Sequence, residues 1–277
     1  MFKTSRRITI VAAMALCISA MFAVVSYADH SWGGYHWART ANPFTLKVGN
    51  NLSSNWQTQF DTALADWSNS SVMDLTEVPG SGGRNCKMVA GTVQVCNRTY
   101  GNNGWLGLAS INITGGTHIT QGSAKMNDTY FNTSFYNNPN EKLHVMCQEI
   151  GHTFGLDHQS TDGSSLNTCM DYFSNTGADA NSTLSTHPNT HDYDELVTIY
   201  SHLDSFTTIA AAAAASTRSE VTEQPETWGQ LMRQSANGRS SMYGRLNSDG
   251  SETYTHVYWT QESAERCPAC DHRYDGN

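Results

Sequence analysis

The sequence predicts an α+β protein, and three observations carry that prediction. Short stretches rich in Val, Ile and Thr, with apolar residues at alternate positions, gather between residues 44 and 127. Stretches with apolar residues three and four apart stand at 53–67, 140–154 and 192–203. The connections between them are long and polar. Only 15% of the residues are Asp, Glu, Lys or Arg, against ~25% in typical soluble domains, and Asn, Ser, Thr and Gly take up the difference.

Residues 1–28 read as a secretory signal. Lys3, Arg6 and Arg7 form its basic start, residues 8–25 are apolar, and Ser26 and Ala28 supply small residues for cleavage. Nothing after it reads as a stop-transfer segment, so the expected product is secreted, with no stable membrane span once the signal is removed. Formal net charge is −9 and the mature chain has no basic cluster, which argues against a nucleic-acid partner. Cys17 leaves with the signal, and the remaining cysteines are even in number, as an oxidising compartment favours.

From residue 29 to 40 the chain is aromatic and irregular, with Trp32, Tyr35, His36 and Trp37. Residues 44–48 alternate as a first strand. Trp56, Phe60, Ala63, Leu64 and Trp67 form one face of a helix over 53–67. Residues 74–78, 92–97 and 106–113 read as strands, with a glycine-rich turn at 79–83. Residues 117–127 are expected to be an edge strand and 129–135 a short extended piece, with His118 on the surface. The helix over 140–154 buries Leu143, Met146, Ile150 and Phe154. Asp192 and Glu195 fit a capping box that opens a helix running to about Leu203. His187 and His191 read as loop residues. Residues 29–208 are therefore expected to form the main domain, 209–225 a linker, and 226–277 a small C-terminal region. Within that region, residues 238–259 read as a hairpin because 253–259 alternate; its role is not legible.

The chemistry concentrates in residues 144–158 and 169–172. On a helix, Gln148 and His152 stand four apart and project from one face, with Glu149 beside them. Gly155 can take the positive φ that stops a helix and turns the chain back, bringing His158 toward His152. Two neutral imidazoles, one further donor and room for a water describe a catalytic zinc site. His144 is roughly 12 Å along the axis from His152, too far to share an ion; it reads as exposed or as a support behind the ligands. Gly151 inside the helix costs stability, which points to a close approach there. The cysteine positions suggest two pairs, Cys86 with Cys96 and Cys147 with Cys169. Cys267 and Cys270 suggest a local disulfide.

This stretch resembles the metzincin signature His-Glu-x-x-His-x-x-Gly-x-x-His with its Met-turn. Glu149, His152, Gly155, His158 and Met170 match it; Gln148 stands where the first histidine belongs. Tyr172, two residues after Met170, is similar to the astacin and serralysin pattern. The resemblance implies a zinc metallopeptidase of matrixin or astacin type, with a twisted, mostly parallel sheet and an edge strand over an active-site helix. It implies His152, His158 and Gln148 as zinc ligands, although glutamine is a poorer donor than imidazole. Glu149 would be the general base, Tyr172 a zinc ligand or a donor to the oxyanion, and Met170 the apolar floor. The expected activity is endopeptidase cleavage by a monomer, with the extended protein or peptide substrate paired to the edge strand. The alternative is a protease-fold binding module that lost turnover with its first histidine.

Overall fold

Strand alternation and helix periodicity translate into one mixed sheet with helices packed on it. A computed structural model describes residues 30–209 and 224–274; the expected signal at 1–28 and most of the expected linker lie outside them. The strands are β1 (His36–Trp37), β2 (Phe44–Asn51), β3 (Met73–Pro79), β4 (Thr92–Arg98), β5 (Trp105–Thr114), β6 (His118–Asn127), β7 (Gln230–Gln234), β8 (Ser240–Leu246) and β9 (Glu252–Trp259). The α-helices are α1 (Gln57–Trp67), α2 (Asp128–Phe131), α3 (Pro139–His152), α4 (Thr190–Ile199) and α5 (Gln261–Arg266). Sheet order is β3-β2-β4-β6-β5-β9-β8-β7, with β1 added on β6.

The strands up to β6 run parallel to one another except β5, which is antiparallel to β6. β7, β8 and β9 are antiparallel throughout. On β2 the period of two is kept: Phe44, Leu46 and Val48 are buried while Thr45 and Lys47 are exposed. Phe60, Ala63, Leu64 and Trp67 turn inward from α1. Trp67 fixes the two long helices together, its indole N–H donating to the Cys147 carbonyl at 3.0 Å. Asn138 caps α3 by accepting from the Glu141 amide, and Pro139 stands at the first helical position, where its missing N–H costs nothing. The main core lies between this helix layer and the sheet. A smaller core of Trp105, Leu108, Trp228, Tyr243, Val257 and Trp259 joins β5 to the C-terminal strands.

Three expectations change. Residues 117–127 do not form an edge: β6 is interior, flanked by β4 and β5. The hairpin through Gly115 and Gly116 returns the chain so that β5 lies outside β6, and β9 then occupies the outer side of β5. Residues 129–135 are not extended, because the Asn127 side chain accepts from the Thr129 amide and starts the short helix α2. The capping box lies one turn earlier than expected, with Asn189 as N-cap and Asp192 as its reciprocal partner.

The hairpin expected at 238–259 forms as β8 and β9. Its β9 continues the main sheet through a register running from Ile113–Glu252 to Trp105–Trp259. Tertiary pairing thus brings the C-terminal strands against the part of the molecule that carries the histidines.

Candidate metal centre

Helix α3 ends where the chemistry begins. Thr153 closes it, and Gly155 has φ +93°. A side chain there would be strained, and its Cβ would run into the Tyr35 carbonyl. The chain then pairs with the N-terminal segment: Trp32 donates to the Gly155 carbonyl at 2.6 Å, and Ser31 bridges Leu156. That return carries His158 back to His152, and their Nε2 atoms stand 3.1 Å apart.

The third imidazole comes from β9. His152, His158 and His256 bring their ligating nitrogens within 4.8 Å of one another. The His152 and His256 rings stack at 4.0 Å, and Trp32 lies edge-on to both. The outer nitrogens of the first two rings are engaged. His152 Nδ1 donates to the Leu156 carbonyl at 2.8 Å, while His158 Nδ1 lies 2.9 Å from Tyr172 Oη and 3.3 Å from Asp157 Oδ1. With the protons held on Nδ1, the two Nε2 lone pairs face each other. Two nitrogens bound to one tetrahedral zinc at ~2.0–2.1 Å would stand roughly 3.3 Å apart. The His256 Nε2 is buried and makes no well-formed hydrogen bond among the described residues, with Asp157 Oδ1 3.5 Å away. Burial, reinforced by the neighbouring imidazoles, holds His152 well below the usual histidine range and pushes His158 down to about 3. Neutral imidazoles are the form that binds a metal, so this donor set fits zinc.

Asp157 orders the rim. Its Oδ1 accepts from its neighbour's amide, His158 N, at 2.8 Å and lies 3.5 Å from His256 Nε2, and its Oδ2 pairs with Arg233 of β7. Burial would raise its carboxyl, but the two imidazoles outweigh burial and hold it well below the usual range. A cavity of about 260 Å³ opens here, lined by His158, Tyr172, Arg233, Ser240, Met242 and His256 among others. Its walls come from both the central histidine stretch and the C-terminal strands.

Glu149 is 1% exposed, and neither carboxyl oxygen has a hydrogen-bond partner among the described residues. Burial raises its pKa well above the ordinary carboxylate value. It packs against Gly107 of β5, outside the group of three imidazoles. Met170 is buried under the helix at Gly151, where a Cβ would stand 2.7 Å from the Met170 sulfur and from the Trp67 ring. The close approach expected at Gly151 is thus with these two side chains. Tyr172 is buried, and burial raises its phenol well above the usual range.

Gln148 is committed elsewhere. Its amide nitrogen donates to the Cys169 carbonyl at 2.9 Å and the Asp171 carbonyl at 2.8 Å, while its oxygen is buried without a hydrogen-bond partner among the described residues. The imidazole that joins His152 and His158 is therefore His256, and the Gln148 amide holds the backbone on either side of Met170. His144 is not exposed: it is buried, with its ring on Asn175 Oδ1 and the Asp171 carbonyl, each at 3.2 Å. His118 opens β6, with its side chain partly buried. Cys147 is bonded to Cys169, Cys86 to Cys96 and Cys267 to Cys270. The first of these ties α3 to the residue before Met170.

Sequence reasoning missed His256. The signal that could have found it is the alternation of 253–259, which sets Tyr254, His256 and Tyr258 on one face. What that face meets is a matter of tertiary structure.

No family model and no curated protein match the chain. Among solved structures, a structure of myroilysin aligns at TM-score 0.36 and 12% identity, covering 62% of this chain and 98% of that one. High choriolytic enzyme 1, a hatching enzyme zinc-protease from Oryzias latipes, aligns at TM-score 0.33 and 10% identity, covering 60% and 94%. A further myroilysin crystal structure aligns at 0.30 and 14%, covering 65% and 97%.

Proposed function

We propose that the chain is a secreted, zinc-dependent endopeptidase of metzincin type, with His152, His158 and His256 as the metal-binding set. The observation that carries this reading is the convergence of three buried imidazoles on one point, one of them from the helix that also carries Glu149, a buried carboxyl with no hydrogen-bond partner among the described residues. The disulfides suit an oxidising, extracellular location.

Zinc held there would acidify a water and polarise a peptide carbonyl. Glu149, its affinity for protons raised by burial, takes a proton from the attacking water and returns one to the leaving amine. Tyr172 steadies His158 through its hydroxyl and, on rotation, donates to the developing oxyanion. Met170 forms the apolar support beneath the histidine helix, and Gln148 holds the Met-turn against it. Asp157 and Leu156 fix the ring tautomers.

One observation favours a second reading, a protease-fold module that binds without turnover. Both sides of β5 are already paired, by β6 and β9, so an extended peptide has no free edge on β5 while β9 stays in place. Zinc content measured together with casein hydrolysis separates the two. Bound zinc with chelator-sensitive hydrolysis, lost in Glu149→Gln, supports the peptidase. Bound zinc with no hydrolysis supports the binding module, and a chain that takes up no zinc overturns both.

A further inference from the structure

A second convergence of imidazoles stands away from the first. The parallel register of β1 and β6 sets His36 directly beside His118. The segment after α4 adds His202 and Asp204. The His202 and His36 Nε2 atoms are 3.1 Å apart. Asp204 Oδ1 lies 3.2 Å from His118 Nε2, 3.6 Å from His36 Nε2 and 3.8 Å from His202 Nε2. His36, His118 and Asp204 bring their donor atoms within 4.8 Å of one another, and His202 adjoins that group through His36 and Asp204. These four separations lie around the roughly 3.3 Å expected between donors on one tetrahedral zinc. The His36 ring stands nearly perpendicular to both other rings, at 77° to His118 and 88° to His202.

The surrounding bonds prepare the donors. His36 Nδ1 donates to the Gly34 carbonyl at 2.9 Å, which leaves a lone pair on the Nε2 of the neutral ring. Asp204 Oδ2 accepts from the Arg39 amide and from the Arg39 guanidinium, each at 3.1 Å. Only Oδ1 then faces the rings. Arg39 is itself held by the Tyr200 and His202 carbonyls and by Asn42 Oδ1. The His36 lone pair consequently looks at another imidazole nitrogen and at a carboxylate oxygen, an arrangement that a cation relieves. His36 is buried, Asp204 is partly buried and His202 is half exposed, so an ion has a route in from solvent.

We propose that His36, His118, His202 and Asp204 form a structural zinc site. With the half-exposed His202 drawn in beside His36, His118 and Asp204, three imidazoles and one carboxylate would close a tetrahedron and leave no position for a substrate. The ion would pin β1 to the start of β6 and to the chain beyond α4, tying the N-terminal segment to the body. The proposal does not depend on the peptidase reading.

The test uses the full secreted chain, stripped with a chelator, reloaded with zinc chloride and desalted. Wild type should retain one more equivalent of zinc than His118→Ala/His202→Ala; equal content overturns the site. A second arm uses His158→Ala/His256→Ala, in which the first cluster has lost two rings. Zinc should raise its melting temperature, and one equivalent of cobalt(II) should give the intense visible absorption of a tetrahedral centre. Weak octahedral absorption, or no thermal shift with zinc, overturns the proposal even if the first variant fails to fold.

Discussion

Gly107 on β5 lies against the carboxyl of Glu149 on α3, and a Cβ at position 107 would overlap Glu149 Oε1 and press on Val145. The strand and the helix meet at this one point closely enough that only hydrogen fits. The general base we propose is thus positioned by a missing side chain. Gly107→Ala should cost about 1–3 kcal/mol from overpacking and lower hydrolysis by displacing Glu149. Urea unfolding and peptide turnover on the same preparation check both. A variant of wild-type stability and rate would mean that the carboxyl does not work from this position.

Glu149→Gln should retain zinc while lowering hydrolysis by roughly a hundredfold or more, the scale of general acid–base help. The same variant has a pH signature in zinc-free protein. Burial raises the Glu149 pKa in the folded state, so the folded form holds its proton more tightly than the unfolded form does. That contribution to stability is fully present below the unfolded value of about 4.3 and is lost as pH rises through the folded pKa. Melting temperature in the presence of chelator should therefore fall with pH across this window more steeply in wild type than in Glu149→Gln. Parallel curves would show that the carboxyl is not held in an apolar setting.

His256→Ala and Gln148→His separate the two candidates for the third donor. Removing a ligand should weaken zinc by more than roughly a hundredfold, beyond the scale seen for supporting residues. Gln148→His removes the amide from the Cys169 and Asp171 carbonyls. It should destabilise the fold by about 1–3 kcal/mol and leave zinc affinity unchanged. Chelator competition measures both variants. Tighter zinc in Gln148→His, with no loss in His256→Ala, would return residue 148 to the ligand set.

The Cys147–Cys169 bond spans 22 residues and adjoins Gln148 and Met170. Replacing both cysteines with alanine should lower stability by roughly 3 kcal/mol. Because the Gln148 bonds to the Met-turn remain, bound zinc should survive below the new melting temperature. Zinc content across a thermal series checks this. Loss of zinc well below unfolding would show that the disulfide itself holds the site.

Local patterns by themselves determined the three longer helices, most strands, and the meeting of His152 with His158. The reason is physical: residues three, four and six apart are brought together by one helical turn and one glycine stop, with no need of distant chain. The positions of Cys147 and Cys169, beside functional residues, pointed to their bond in the same way. Tertiary structure decided the rest. Whether β6 or β5 lies outside depends on which strand the hairpin leaves outermost, and whether β5 is free depends on pairing with β9, more than a hundred residues away. The third imidazole follows from that pairing. His256 sits in an ordinary alternating strand, and only its register opposite Ala109 of β5 turns it toward the histidine helix. The amide of Gln148 met the same limit. Its spacing from His152 put it on the ligand face, but the Met-turn carbonyls, fixed only once the chain is folded, claim its donors.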